Sequence, residues 1–238
     1  MSGDATWKAL DHGPLDQLEP DLWRVEGSLP HMPLRRVMTI ARREDGQLVV
    51  HSAISLDRAG MRAVDALGPV GFIVVPNGMH RLDAARWRAR YPGAKVVAPS
   101  GARSAVEQQV PVDLDEASFP STERASIRAL GGVAAKEMVM TLRSGGTATL
   151  VFTDALFDMP HLPGLQGFVL RHLTRSSGPL HVSRLFRLLA VKDAAAFRAD
   201  LLALAETPDL RRIIVAHHRV VDVDVAAALR AAAGSNGA

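Results

Sequence analysis

Four apolar segments of this chain end in a side chain able to bind a cation or polarise a substrate. QLVV runs into His51, GFIVVP into Asn77 and His80, ATLVFT into Asp154, and RRIIVA into His217. Imidazole nitrogens and carboxylate oxygens are the donors that hold zinc, iron or manganese. Three of them, with one position left open, suffice for a hydrolytic metal centre. Each segment is rich in β-branched residues and reads as a buried strand. The loops leaving such strands are where α/β folds place their chemistry. The four ends make one site only if the fold gathers them at one edge.

The elements that must do so alternate along the chain. DLWRVEG and RRVMTIAR read as strands, Glu44, Asp45 and Gly46 as a turn, and QLVVHS as the third strand of an opening meander. Asp57 is placed to cap a helix reaching Leu67, with Met61, Val64 and Leu67 on one face and Gly68 ending it. After GFIVVP come a short helix from Ala84 to Arg90, the strand AKVVAP, and a helix that Ser100 can cap. In the second half SIRAL and EMVMTLR are strand-like, and Ser144, Gly145 and Gly146 turn the chain into TATLVFT. From Asp158 to Ala190 the rhythm breaks. Pro160, Pro163, Gly164 and a mixed apolar and basic stretch ending in SRLFRLLA read as an insertion or lid over 158–190. If that stretch is helical, Leu185, Leu188 and Leu189 form an apolar stripe that either faces a partner or packs on its own core. Asp193 opens a helix to Ala205, RRIIVAH is a last strand, and VAAALRAAA is a terminal helix before a disordered tail at 234–238.

At 238 residues and 47% hydrophobic, the chain can bury a large core, and a single α/β domain over 1–238 is expected. The absence of cysteine excludes disulfides, thiolate zinc sites, iron–sulfur clusters and cysteine nucleophiles. No leader-like segment opens the chain and no apolar run approaches a membrane span, so a soluble, cytoplasmic protein without membrane contact is expected. The net charge of +3 comes with only 5% aromatic residues, which argues against nucleic acid as a partner. Basic residues concentrate locally at Arg171, His172, Arg175, His181, Arg184 and Arg187, a segment able to attract an anion. No G-x-S-x-G elbow, phosphate-binding loop or dinucleotide fingerprint is present. Ser52 and His51, adjacent on a strand, point to opposite faces and make a poor nucleophile and base pair.

Taken together, the meander, LVVHSAIS, FIVVPNGMHRLDAARWRARYPGAKVVAP, LVFTDALF and IIVAHH resemble the successive landmarks of the metallo-β-lactamase superfamily over residues 20 to 225. The chain is most similar to a bacterial branch of it with a comparable PN-x-x-H segment. The resemblance implies a four-layer αββα sandwich, two mixed sheets flanked by helices, with an active site along the edge of the paired sheets. It also implies metal-dependent hydrolysis. The superfamily's H-x-H-x-D-H signature is not intact: in one register Asn77, Met79, Arg81 and Leu82 take its places. Shifted by one, His80 and Asp83 fall on ligand positions while Gly78 and Leu82 take the others. Val133 stands nearest the distant histidine. Asp154 matches the bridging aspartate, His217 the closing histidine, and His51 a position often held by a supporting aspartate.

This donor set is too small for two dications, which leaves two readings. In the first, the site is eroded and the chain is a non-catalytic protein that binds a small ligand in the sheet-edge cleft, or a partner, including a second copy, through 158–190. His80 then caps a loop, Asp154 accepts backbone hydrogen bonds and His217 is a satisfied buried histidine. In the second, His80, Asp154 and His217, with His51, Asp83 or His218 as further donors, hold one zinc, iron or manganese ion. Asn77 or His218 then polarises an ester, lactone, amide or phosphoester. Asp158, His161 and His172, in the insertion, are expected to face solvent.

Overall fold

The computed structural model describes residues 6–174, 176–217 and 219–234. The chain opens with a four-strand meander: β1 (Asp16–Glu19), β2 (Leu22–Leu29), β3 (Met32–Arg42) and β4 (Leu48–His51). Then come α1 (Arg58–Leu67), β5 (Val70–Val74), α2 (Ala84–Arg90), β6 (Lys95–Val97) and α3 (Arg103–Glu107). β1 to β6 form one sheet in sequence order, antiparallel up to β4 and parallel from β4 to β6. The second half supplies β7 (Ala125–Ala129), β8 (Met138–Ser144) and β9 (Thr147–Val151). Past the insertion lie α6 (Ala194–Ala205), β12 (Leu210–Ile214), β13 (Val220–Val221) and α7 (Val225–Gly234). Its sheet runs β13-β12-β9-β8-β7, with β9 and β12 parallel.

Three apolar layers explain why the two sheets stack. On the outer face of the first sheet, Val25, Met38, Val50 and Ile73 pack against Met61, Val64 and Trp87 from α1 and α2. On the outer face of the second, Leu150, Phe152 and Ile213 pack against Phe197, Leu201 and Leu229 from α6 and α7. Between the sheets, Val37, Val49, Phe72 and Val74 meet Met138, Met140, Val151 and Ile214. The alternation of side chains along each strand feeds the two layers in turn. The result is helix, sheet, sheet, helix, as expected of the sandwich. Asp57 caps α1 by accepting from the Gly60 amide at 2.7 Å. Gly68 ends it at φ 146°, where a Cβ would come within 2.8 Å of the Gly46 carbonyl.

Two details differ from the sequence expectation. Ser100 does not cap α3: it begins a 3₁₀ turn over Ser100–Ala102, and its hydroxyl donates to the Glu116 carboxylate at 2.7 Å. A lone serine before an apolar run signals a cap, but the acid across the loop competes for its hydroxyl. The 158–190 insertion carries more structure than a lid loop. It begins within a two-stranded sheet of β10 (Phe157–Met159) and β11 (Gly178–His181). Between these strands lies α4 (Gly164–Phe168), continued by a π turn over Val169–Leu173, and α5 (Arg184–Leu189) follows β11. On α5 Phe186 packs inward, while Leu185, Leu188 and Leu189 face solvent. Residues 235–238 of the expected tail lie outside the described residues. No helix among those residues is long and apolar enough to cross a membrane.

Candidate metal centre

Parallel pairing puts the C-terminal ends of β4, β5 and β6 on one side of their sheet, and those of β9 and β12 on one side of theirs. The two edges are stitched together by the Val37 amide, which donates to the Ala216 carbonyl at 2.8 Å. The loops leaving β5, β9 and β12 therefore deliver His80, Asp154 and His217 to one point. Among the described residues, these three bring one donor atom each within 4.8 Å of one another. Asp154 Oδ1 lies 3.2 Å from His80 Nε2 and 3.4 Å from His217 Nε2. Donors bound to one tetrahedral zinc at about 2.0–2.1 Å stand about 3.3 Å apart.

The outer contacts fix these donors. His217 Nδ1 lies 2.8 Å from the Arg35 carbonyl, which only accepts, so Nδ1 carries the proton and donates. In a neutral ring Nε2 is then a bare lone pair aimed at a carboxylate oxygen. A proton or a metal cation must sit between them. Phe157 stacks on one face of the His217 ring, with centroids 5.4 Å apart. His80 Nδ1 lies 3.4 Å from Ser52 Oγ, leaving Nε2 for the centre.

Asn77 ties the first sheet to Asp154. Its Nδ2 donates to Asp154 Oδ2 at 2.7 Å and to Glu137 Oε2 at 3.0 Å. Its Oδ1 accepts the Met79 and His80 amides at 2.8 and 2.9 Å. The whole amide is thereby occupied, and the side chain is buried. It holds the loop and the carboxylate rather than facing open space.

The electrostatics follow from burial and pairing. Burial pushes the Asp154 carboxyl up, but the His80 and His217 imidazoles prevail and hold it far below the usual carboxylate range. Burial pulls His217 down, yet the hydrogen bond and charge of Asp154 leave it raised. Glu137 is raised by burial and by the negative charge of Asp154.

The other candidates fall elsewhere. Asp83 is buried and its carboxylate is occupied by two guanidinium groups, Arg36 and Arg86, each at 2.6 Å. His51 is buried behind the centre with neither ring nitrogen hydrogen-bonded. Arg81 donates to the Ala105 carbonyl and to Gln108 Oε1, away from the donors. Val133 belongs to the second core, under α6. Asp158 is half-buried beside Arg219, at 4.0 Å, and His161 and His172 are exposed. His218 lies outside the described residues. Glu137, which reaches the site just before β8, was not singled out by sequence; a lone acid opening an apolar strand is its only signal.

The two stacked sheets and their flanking helices superpose on known structures. The metallo-β-lactamase FIM-1 from Pseudomonas aeruginosa, crystallised in a mono-zinc form, superposes with a TM-score of 0.61 at 13% identity, over 94% of this chain and 96% of that one. The chain has the metallo-β-lactamase fold. VMB-1 superposes with a TM-score of 0.62 at 12% identity, covering 97% of this chain and 99% of its own. The metallo-β-lactamase DIM-1 does so with 0.59 at 10% identity, covering 94% and 99%. No protein-family model and no curated protein matches the sequence. At these identities the likeness establishes the fold, while activity must be argued from the site.

Proposed function

We propose that this chain is a mononuclear metal-dependent hydrolase of metallo-β-lactamase fold, with His80, Asp154 and His217 holding one divalent cation. The observation that carries the reading is the set of three converging donors, in which the His217 lone pair faces a carboxylate oxygen at 3.4 Å. Two imidazoles and one carboxylate suit zinc, and equally iron or manganese. When bound, such an ion supplies Lewis acidity and lowers the pKa of water to about 7. The chain's own residues do the rest. Arg35 and Phe157 fix the His217 ring, and Asn77 turns Asp154 toward the histidines. The substrate class is a small ester, lactone, amide or phosphoester. A single ion rather than a pair is supported by the positions of Asn77, Met79 and Leu82, none of which brings a further imidazole or carboxylate, and FIM-1 itself occurs in a mono-zinc form.

A second reading, metal or ligand binding without turnover, is favoured by one observation: the Asn77 amide is fully occupied and has no donor left to polarise an electrophile. Metal content of the untagged protein and of His80→Ala, Asp154→Ala and His217→Ala variants tests the centre. About one zinc, iron or manganese per chain, lost in all three, is expected. Protein that cannot be loaded sinks the proposal. Hydrolysis of a panel of chromogenic esters, lactones, amides and phosphoesters by loaded protein separates the readings, since uptake without turnover favours the second.

A further inference from the structure

Glu137 is only 3% exposed, and no lysine or arginine among the described residues forms an ion pair with it. Its surroundings are the Asn77 amide, the Asp154 backbone N–H, Thr153 and a second acid, Asp154 itself. Burying a carboxyl group without a cation and beside another acid opposes folding. Its two bonds converge on one residue. Oε1 accepts the Asp154 amide at 2.9 Å, and Oε2 accepts Asn77 Nδ2, whose other hydrogen goes to Asp154 Oδ2. Asp154 is thus gripped at its backbone directly and at its carboxylate through Asn77, which leaves Oδ1 turned to His80 and His217.

We infer that Glu137 is a positioning residue of the metal centre, fixing Asp154 directly at its backbone and, through Asn77, at its carboxylate. The inference rests on the single-metal reading. E137Q keeps the size and one acceptor but sets an N–H against the Asn77 or Asp154 donor, so one arm of the grip opens. Cobalt(II) titration followed by its d–d absorption, and zinc competition with a chromophoric chelator, should show affinity falling about 10- to 100-fold. Metal-free E137Q should still unfold in one cooperative transition, at or below the wild-type midpoint because a buried donor now faces a donor, so the affinity loss is read on folded protein. Because one of the two arms runs through Asn77, E137Q combined with N77A should weaken cobalt binding by less than the two single losses combined. Wild-type affinity in E137Q, or additive losses in the double variant, overturns the inference while leaving the metal centre standing. Wild-type protein that takes up neither cobalt nor zinc overturns the single-metal reading and this inference with it.

Discussion

The ends of β4 and β12 invite comparison because each leads to a buried histidine at the same edge of the sandwich. His51 is 2% exposed and His217 6%, so burial does not distinguish them. Their partners do. His217 faces the Arg35 carbonyl, Asp154 and the Phe157 ring, and its pKa is raised. His51 has no hydrogen-bond partner, and burial, aided by the charge of His80, pulls it down to about 3. One ring is poised to carry or share positive charge and the other is kept neutral. A histidine at a strand end becomes a ligand candidate through what the opposite sheet presents to it.

The strongest way to break this contrast is to delete each member in turn. Asp154→Asn and His217→Ala should weaken zinc binding by about 100-fold or more, because each removes one of three donors. His51→Ala should stay within about threefold of wild type by isothermal titration. Comparable losses from His51→Ala would place His51 among the ligands and erase the difference between the two strand ends.

A second test uses the opposite proton linkage of the two rings in metal-free protein. The folded pKa of His51 lies below its ordinary 6.5, so the unfolded chain binds the proton more readily. Its contribution is complete above pH 6.5 and is lost as the pH falls toward about 3, reaching on the order of 2 kcal/mol at pH 5. His217, raised, contributes below pH 6.5, and that contribution is lost as the pH rises through its folded value. Urea unfolding between pH 5 and 8 should therefore show a shallower acid loss in His51→Leu. In His217→Leu the stability lost is that of the acid side. An unchanged acid slope in His51→Leu would mean that the ring is solvated or protonated in the folded protein.

The sequence made much of this legible, and the limits have physical causes. Strands and their ends are written in local apolar runs and turn residues, so β2 to β5, β9 and β12 could be read, and with them His80, Asp154 and His217. What local pattern cannot carry is the pairing of distant segments. Asp83 reads in sequence as a further donor, but Arg36 and Arg86 occupy its carboxylate. Asn77 looked like a group facing substrate, but its amide is used up by contacts up to 77 residues away. Glu137 is not legible because an acid before a strand is usually solvent-exposed, and its partners come from two distant loops, those of Asn77 and Asp154. The short β1, β13 and the β10–β11 pair were also missed, since strands of two to four residues leave little periodicity.

The smallest expected effect concerns the face of the His217 ring that Phe157 covers. Phe157 lies nearly parallel to the ring, at 13°, and is 9% exposed. The Arg35 carbonyl already sets the tautomer and anchors Nδ1, so the stack only restrains rotation about that bond. Phe157→Leu keeps most of the apolar volume while removing the flat surface, and such a swap costs less than about 1.5 kcal/mol in stability. Zinc affinity should fall by only about two- to fivefold, less than for E137Q, because the donor atom itself is still held. A loss as large as that of His217→Ala would show that ring stacking, not the Arg35 hydrogen bond, distinguishes His217 from His51.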